Sequence, residues 1–190
     1  MKFFLYIKHW QIFTFIFLLP VLLFTGDFIY FKGGSLNAYY SLFYVMPLGI
    51  AISQATLYAW LWSVGTNLSQ NVNKEELKSG LFKTLIILPV IILAIILIFW
   101  MFFTLRMHLF GKINSSTILI SSLFVILPVQ SFSSVSILYC FYYVANLLKH
   151  NEVKKKVKFE DCFKEFILIL LFPIGIWFLQ PRINKLVISD

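Results

Sequence analysis

Residues 81–105 read LFKTLIILPVIILAIILIFWMFFTL, and this stretch decides the fold class of the chain. Lys83 is the only charged residue in it. The hydrocarbon core of a bilayer is roughly 30 Å thick, so a helix of about 20 mostly apolar residues can span it. On the surface of a soluble protein, such a stretch would cause aggregation. It therefore predicts a membrane-spanning helix.

Three further apolar runs of at least this length cover Trp10–Phe31, Ala38–Val64 and Thr117–Leu148. Each of the four long runs contains one proline, which removes a backbone hydrogen bond and kinks a helix. Only 13% of the 190 residues are charged, about half the share usual in globular domains, which leaves too little polar surface for a soluble fold. We therefore expect a single all-α membrane domain, residues 1–190, with four transmembrane helices.

A fifth apolar run, Phe166–Leu179, is shorter than the other four. As a helix it would be about 21 Å long, and it contains Pro173 and Gly175, where the chain could turn. Runs of this length are more often re-entrant, interfacial or buried than spanning. We expect a short C-terminal re-entrant or interfacial helix, with a fifth transmembrane helix as the alternative.

Lysine and arginine are distributed unevenly between the runs, and this distribution predicts the topology. Before the C-terminal tail, three of them lie in the segments that would follow the first and third runs: Lys32, Arg106 and Lys112. Eleven lie in the alternate segments: Lys2, Lys8, Lys74, Lys78, Lys83, Lys149, Lys154, Lys155, Lys156, Lys158 and Lys164. Basic residues favour the cytoplasmic side. We expect a protein of the bacterial inner (cytoplasmic) membrane with a cytoplasmic N-terminus and outward-facing loops at Gly26–Asn37 and Arg106–Ser116.

Polar side chains within the runs mark candidate contacts. The second run contains Gln54, and the fourth contains Gln130 and Ser134, which share a helix face because they are four residues apart. Polar groups are costly in lipid and usually face protein or water. One interpretation is hydrogen bonding between helices, within the chain or in a homo-oligomer or partner complex. The other is a polar lining for a pore or substrate path.

Arg182 follows the fifth run and is a candidate interfacial anchor. Its guanidinium can donate several hydrogen bonds to a lipid phosphate or to exposed carbonyls at a helix end. The lysines between residues 149 and 164 would also meet anionic headgroups.

The sequence carries no motif for nucleotide binding, for a serine nucleophile or for a clustered metal site. Glu160, Asp161 and Glu165 do form an acidic cluster, but it alternates with Lys158 and Lys164, which favours ion pairing at i,i+4. We therefore expect no catalytic residues, cofactor or metal. The net charge of +8 is explained by topology, and it does not make nucleic acid an expected partner.

The segment FPIGIWFLQPRIN, Phe172–Asn184, resembles the tail of small multi-pass membrane proteins widespread in Bacteroidota, many of them uncharacterised. The preceding segments FYYVANLLK and KFEDCFKEF are similar to the same proteins, and the likeness covers roughly the last 45 residues. Some small membrane proteins of those bacteria accompany RNA-targeting CRISPR or other defence systems. The resemblance therefore implies a link to bacterial defence, and it carries over no catalytic residues.

Three functional hypotheses follow. The first is a non-enzymatic accessory or effector protein that acts in the bilayer through a protein partner or self-association. The second is a membrane subunit of a transporter energised by another chain, which the prolines and polar helix faces favour. The third is a lipid-modifying enzyme, for which the acidic cluster is the sole argument.

Overall fold

The computed structural model describes residues 3–31, 36–71, 79–110 and 127–188. Almost all of these residues are helical, and none of them forms a strand. The predicted all-α class is therefore confirmed. The predicted start of the fourth run, at Thr117, lies outside the described residues.

The N-terminal segment, which contains the first run, folds as two short helices, α1 (Phe3–Tyr6) and α2 (His9–Phe13), a π-helical turn at Thr14–Leu18, and α3 (Leu19–Phe31). Pro20 lies at the start of α3 and has no N–H for the carbonyl of Ile16, four residues earlier. The Ser53 hydroxyl donates to that carbonyl at 2.8 Å. A serine of the next helix thus satisfies a carbonyl that the proline leaves free, as membrane helices require.

Three long helices follow: α4 (Leu36–Leu68), α5 (Ser79–Phe110) and α6 (Leu127–Val153), with a 3₁₀ turn after α4 at residues 69–71. They extend beyond the predicted apolar runs, because helix continues into the flanking polar residues. The predicted loop boundaries at Gly26 and Arg106 are wrong, since α3 runs to Phe31 and α5 to Phe110.

The fifth run is divided between two helices, α7 (Phe159–Leu170) and α8 (Phe172–Ile188). The expected turn at Pro173 and Gly175 is wrong, because the chain reverses at Leu171, whose carbonyl accepts from the N–H of Ile174 and of Gly175. Pro173 falls in the first turn of α8, where a helix does not use the N–H. A Cβ at Gly175 would clash with the backbone of Leu168, so the two helices are in close contact.

Further from the tip, α7 and α8 meet again through Glu165 and Arg182, whose side-chain atoms are 2.7 Å apart. The contacts at both levels define an antiparallel pair, here called the C-terminal hairpin (residues 159–188). Its tip, at Leu171, is apolar, and its base, at the level of Glu165 and Arg182, is charged. The predicted single short helix is thus a hairpin, and its α7 arm begins at Phe159, within the lysine-bearing segment 149–164.

The buried core lies at one end of the molecule. It contains side chains from α1, the C-terminal half of α4, the start of α5, the C-terminal half of α6 and the hairpin. Phe82 of α5 packs on Gly65 of α4 and stacks on Tyr143 of α6, with ring centroids 4.2 Å apart. Further along α5, large apolar side chains such as Ile98 and Phe99 are two-thirds exposed.

Two helical segments among the described residues are long and apolar enough to cross a membrane, Ser79–Phe102 and Leu127–Val153. Only 11% of the most apolar window in the first is buried within the protein, against 50% for the second. A core helix of a soluble protein would be mostly buried, so the exposure of α5 supports an association with lipid.

Candidate functional site

A cavity of about 110 Å³ lies between α4, α5 and α6. Gln54 and Gln130 both line it, together with Tyr58 and Ser133. Pro89 and aliphatic side chains of α5 form the remaining wall. The structure thus brings two of the three predicted polar contacts, Gln54 of α4 and Gln130 of α6, to one cavity.

Ser134 lies outside that cavity. Its side chain is exposed, and its hydroxyl donates to the carbonyl of Gln130 within the same helix at 2.9 Å. Ser133 lines the cavity instead, and its hydroxyl donates to the carbonyl of Val129 at 3.0 Å. The one-residue difference follows from the helical rotation of about 100° per residue.

The carboxamides of Gln54 and Gln130 form no hydrogen bond with any residue in the described part of the chain. Gln54 is half-buried and also lines a second cavity of about 250 Å³ on its other side, against Pro20 and Phe24. Gln130 is exposed in the first turn of α6. An unpaired amide in hydrocarbon costs a few kcal/mol, so these groups need water or a partner.

Arg182 joins three helices at the base of the hairpin. Its Nε and Nη2 donate to the two carboxylate oxygens of Glu152, each at 2.7 Å, and Nη2 also donates to Glu165 at 2.7 Å. Lys149 lies 3.6 Å from the same oxygen of Glu165. These bonds tie the end of α6 to both arms of the hairpin. The acidic residue Glu165 therefore pairs between helices, rather than along its own.

Glu165 is nearly fully buried, with 2% of its side chain exposed. Burial alone would raise the pKa of its carboxyl, but the Arg182 hydrogen bond and the charges of Lys149 and Arg182 outweigh burial and lower the pKa below its usual value. The Glu152 carboxylate, with help from Glu165, raises the pKa of Arg182. Both groups are charged at neutral pH. Since the pKa of Glu165 is lowered on folding, its stabilising effect is present at neutral pH and is lost as the pH falls through that lowered value.

Gln180 is a second junction, which the sequence reasoning missed. Its buried amide nitrogen lies 2.9 Å from the carbonyl of Phe4 and 3.2 Å from that of Ile7, and its oxygen accepts from the Trp60 indole at 2.9 Å. It thereby connects α8 to the N-terminal segment and to α4. The sequence signal for this junction is the polar pair Gln180 and Asn184, which are four residues apart and whose side chains are in contact.

Within the described residues, no group of three or more His, Cys, Asp or Glu side chains could hold a metal ion. Cys140 and Cys162 are buried free thiols. The polar cavity and the two junctions therefore remain as the candidate functional features. The chain matches no family model, no curated protein and no solved structure.

Proposed function

We propose that the chain is a multi-pass protein of the bacterial inner membrane with four spans and a cytoplasmic N-terminus. The exposed apolar surface of α5 supports a lipid environment. At 33 residues, α4 is about 50 Å long, which exceeds the thickness of the hydrocarbon core. The excess of lysines at the N-terminus and after the second and fourth runs supports the orientation.

In this proposal the C-terminal hairpin dips into the cytoplasmic leaflet and returns. The first arm, α7, enters the leaflet and the second arm, α8, returns. Because Arg182 of α8 bonds to Glu152 at the end of α6, α8 returns to the depth at which α6 ends. Phe172, next to the tip, packs edge-to-face on Trp60 with ring centroids 5.0 Å apart. Trp60 precedes the end of α4 by eight residues, or about 12 Å of helix, well short of a bilayer core.

Within the membrane, the protein acts by self-association and without catalysis. The observation that carries this proposal is Gln130, an exposed carboxamide on an apolar helix, which has no hydrogen-bond partner among the described residues. Ser134 and Leu138 are exposed as well, and they share its helix face because they lie four and eight residues further on. A carboxamide is both donor and acceptor, so the same residue in a second copy complements it, as a two-fold interface requires.

Replacing Gln130 by leucine tests the proposal. A hydrogen bond between membrane helices is worth about 1 kcal/mol, so Gln130→Leu should weaken self-association roughly fivefold. Sedimentation in mild detergent and crosslinking in membranes measure this change. Gln130→Asn keeps the carboxamide and should retain most of the association. Unchanged association in Gln130→Leu would refute self-association through this residue.

A transporter subunit energised by another chain is the second candidate, because Gln54, Gln130 and Pro89 line one internal cavity. Gln54→Leu separates the two proposals. Gln54 is part of the cavity wall and lies on a different helix from the exposed face of α6. If the protein works by self-association, Gln54→Leu should leave the oligomer intact. A transport defect in Gln54→Leu with an unchanged oligomer would favour the transporter.

The biological setting that we propose is a bacterial defence system, as the resemblance of the C-terminal segment implies. The genes beside this one provide the test. A neighbouring defence nuclease supports the proposal, whereas a neighbouring transport ATPase supports the second candidate.

A further inference from the structure

The connection between α6 and α7 carries four exposed lysines: Lys154, Lys155, Lys156 and Lys158. Lys154 has a positive φ of 53°, and its N–H bonds to the carbonyl of His150 at 2.7 Å, so the chain leaves α6 through a left-handed turn. The Val157 carbonyl accepts from Asn146 at 3.4 Å and holds the connection against the core. None of the four lysines forms an ion pair with a described acid.

Glu160, Asp161, Glu152 and Glu165 are the acidic residues closest in sequence to this lysine loop (residues 154–158), and none of them forms an ion pair with its lysines. The Asp161 carboxylate accepts the backbone N–H of Lys158 at 3.0 Å and closes the first turn of α7. Glu152 and Glu165 are held by Arg182. The exposed Glu160 offsets part of the charge, but the four lysines outnumber it, so the loop presents net positive charge to an external partner.

The adjoining helix α7 is amphipathic in a way that fits a membrane surface. Its core-facing side chains are Cys162, Glu165 and Ile169. A second apolar stripe, Phe159, Phe163 and Leu170, is 45–49% exposed. These three residues fall on one face of the helix because their spacings are four and seven. The stripe begins next to Lys158, so exposed aromatic rings and exposed ammonium groups adjoin.

We infer that the lysine loop and the exposed face of α7 form a binding site for anionic phospholipid headgroups. The lysines pair with the phosphates, while Phe159 and Phe163 enter the boundary between headgroups and acyl chains. Large aromatic side chains beside lysines are the composition of a membrane interface. The inference rests on the proposed cytoplasmic-face position of the hairpin, and it adds selectivity for lipid charge.

The test compares full-length protein in nanodiscs of phosphatidylcholine with and without phosphatidylglycerol. For the wild type, phosphatidylglycerol should raise the thermal unfolding midpoint and remain bound in native mass spectrometry. In the triple variant Lys154→Gln, Lys155→Gln, Lys156→Gln, affinity for phosphatidylglycerol should fall on the order of a hundredfold, since each lysine near an anionic surface contributes about fivefold.

The control is the double variant Lys8→Gln, Lys83→Gln, which removes exposed lysines outside the loop. Because Lys8 and Lys83 do not adjoin the exposed face of α7, this variant should lose much less affinity than the triple variant. Equal losses in the two variants, or a wild type indifferent to phosphatidylglycerol, would overturn the inference. So would an equal stabilisation by free inorganic phosphate in detergent. Impermeant thiol labelling of Lys155→Cys reports the position of the loop separately, so an error in the proposed topology is distinguishable from an error in the lipid site.

Discussion

At the scale of single residues, the polar side chains of this chain fall into two kinds. Gln180 and Arg182 form several hydrogen bonds each and join segments that are distant in sequence. Gln54 and Gln130 line a cavity without a described partner. The first kind stabilises the fold, and the second is available for water, a ligand or another chain. The sequence indicated the second kind because an amide inside an apolar run is conspicuous.

Gln180 could not be identified in the same way, because its partners are remote. The Trp60 indole is 120 residues away and the Phe4 carbonyl is 176 residues away. No local pattern encodes such a contact. Arg182 was recognised as an anchor, and its carboxylate partners Glu152 and Glu165 became visible only when α6 and the hairpin were in place.

Substitution of the two glutamines should separate these roles. Gln180→Leu leaves the Trp60 indole N–H and the Phe4 carbonyl buried without their partner, which should cost about 3 kcal/mol of folding free energy. Gln130→Leu removes no hydrogen bond of the described chain and should change stability by less than about 1 kcal/mol. Reversible unfolding in mixed detergent measures both values. Equal stabilities of the two variants would show that Gln180 is not a structural junction.

At the scale of elements, the prediction of helix in the long apolar runs is confirmed where the structure describes them, because the apolar signal is local and strong. The hairpin was predicted in part. A search for continuous apolar runs finds Phe166–Leu179 but cannot see that α7 begins at Phe159. The apolar positions of the KFEDCFKEF segment recur at helical spacing among charged residues, and only the periodicity shows that the segment is amphipathic.

Gly175 holds the two arms of the hairpin in contact, and its replacement should open the hairpin. A Cβ at this position meets the backbone of Leu168, which cannot move aside as a side chain can. Gly175→Ala should therefore separate the arms, weaken the Glu165–Arg182 pair and destabilise the protein by about 2 kcal/mol or more. The readouts are the thermal unfolding midpoint and the rate of limited proteolysis in the hairpin.

Two matched variants control this experiment. At Gly80, nothing lies within 4 Å of an added Cβ, so Gly80→Ala should be tolerated. Pro173→Leu should also be nearly neutral, because Pro173 occupies the first turn of α8 and does not form the turn at Leu171. A strong loss of stability in Pro173→Leu, with Gly175→Ala unaffected, would contradict the reversal at Leu171 and support a turn at Pro173.

At the scale of the whole molecule, packing and charge coincide at one end. The buried core, the Arg182 network and the lysine loop all lie where α4 and α6 end, and Asn151 joins those two ends through a 3.2 Å hydrogen bond to the Leu68 carbonyl. Such a placement agrees with a cytoplasmic end bearing the basic residues. The number of spans and the orientation stay predictions, because exposure and length bear on lipid contact and not on direction.

The last prediction concerns the side on which the C-terminus lies. Arg182 is bonded to Glu152, so the end of α8 must lie on the same side of the membrane as the lysine loop. A cysteine in place of Lys185, an exposed residue, should therefore be labelled by an impermeant thiol reagent from the cytoplasmic side. The background is Cys140→Ser, Cys162→Ser, which removes the two native thiols.

Lys155→Cys should be labelled from the same side, and Gly111→Cys, in the predicted outward loop, from the opposite side. Labelling of Lys185→Cys together with Gly111→Cys would establish a fifth span and rule out the re-entrant hairpin. Labelling of all three from one side would instead indicate that the predicted spans between them do not cross the bilayer.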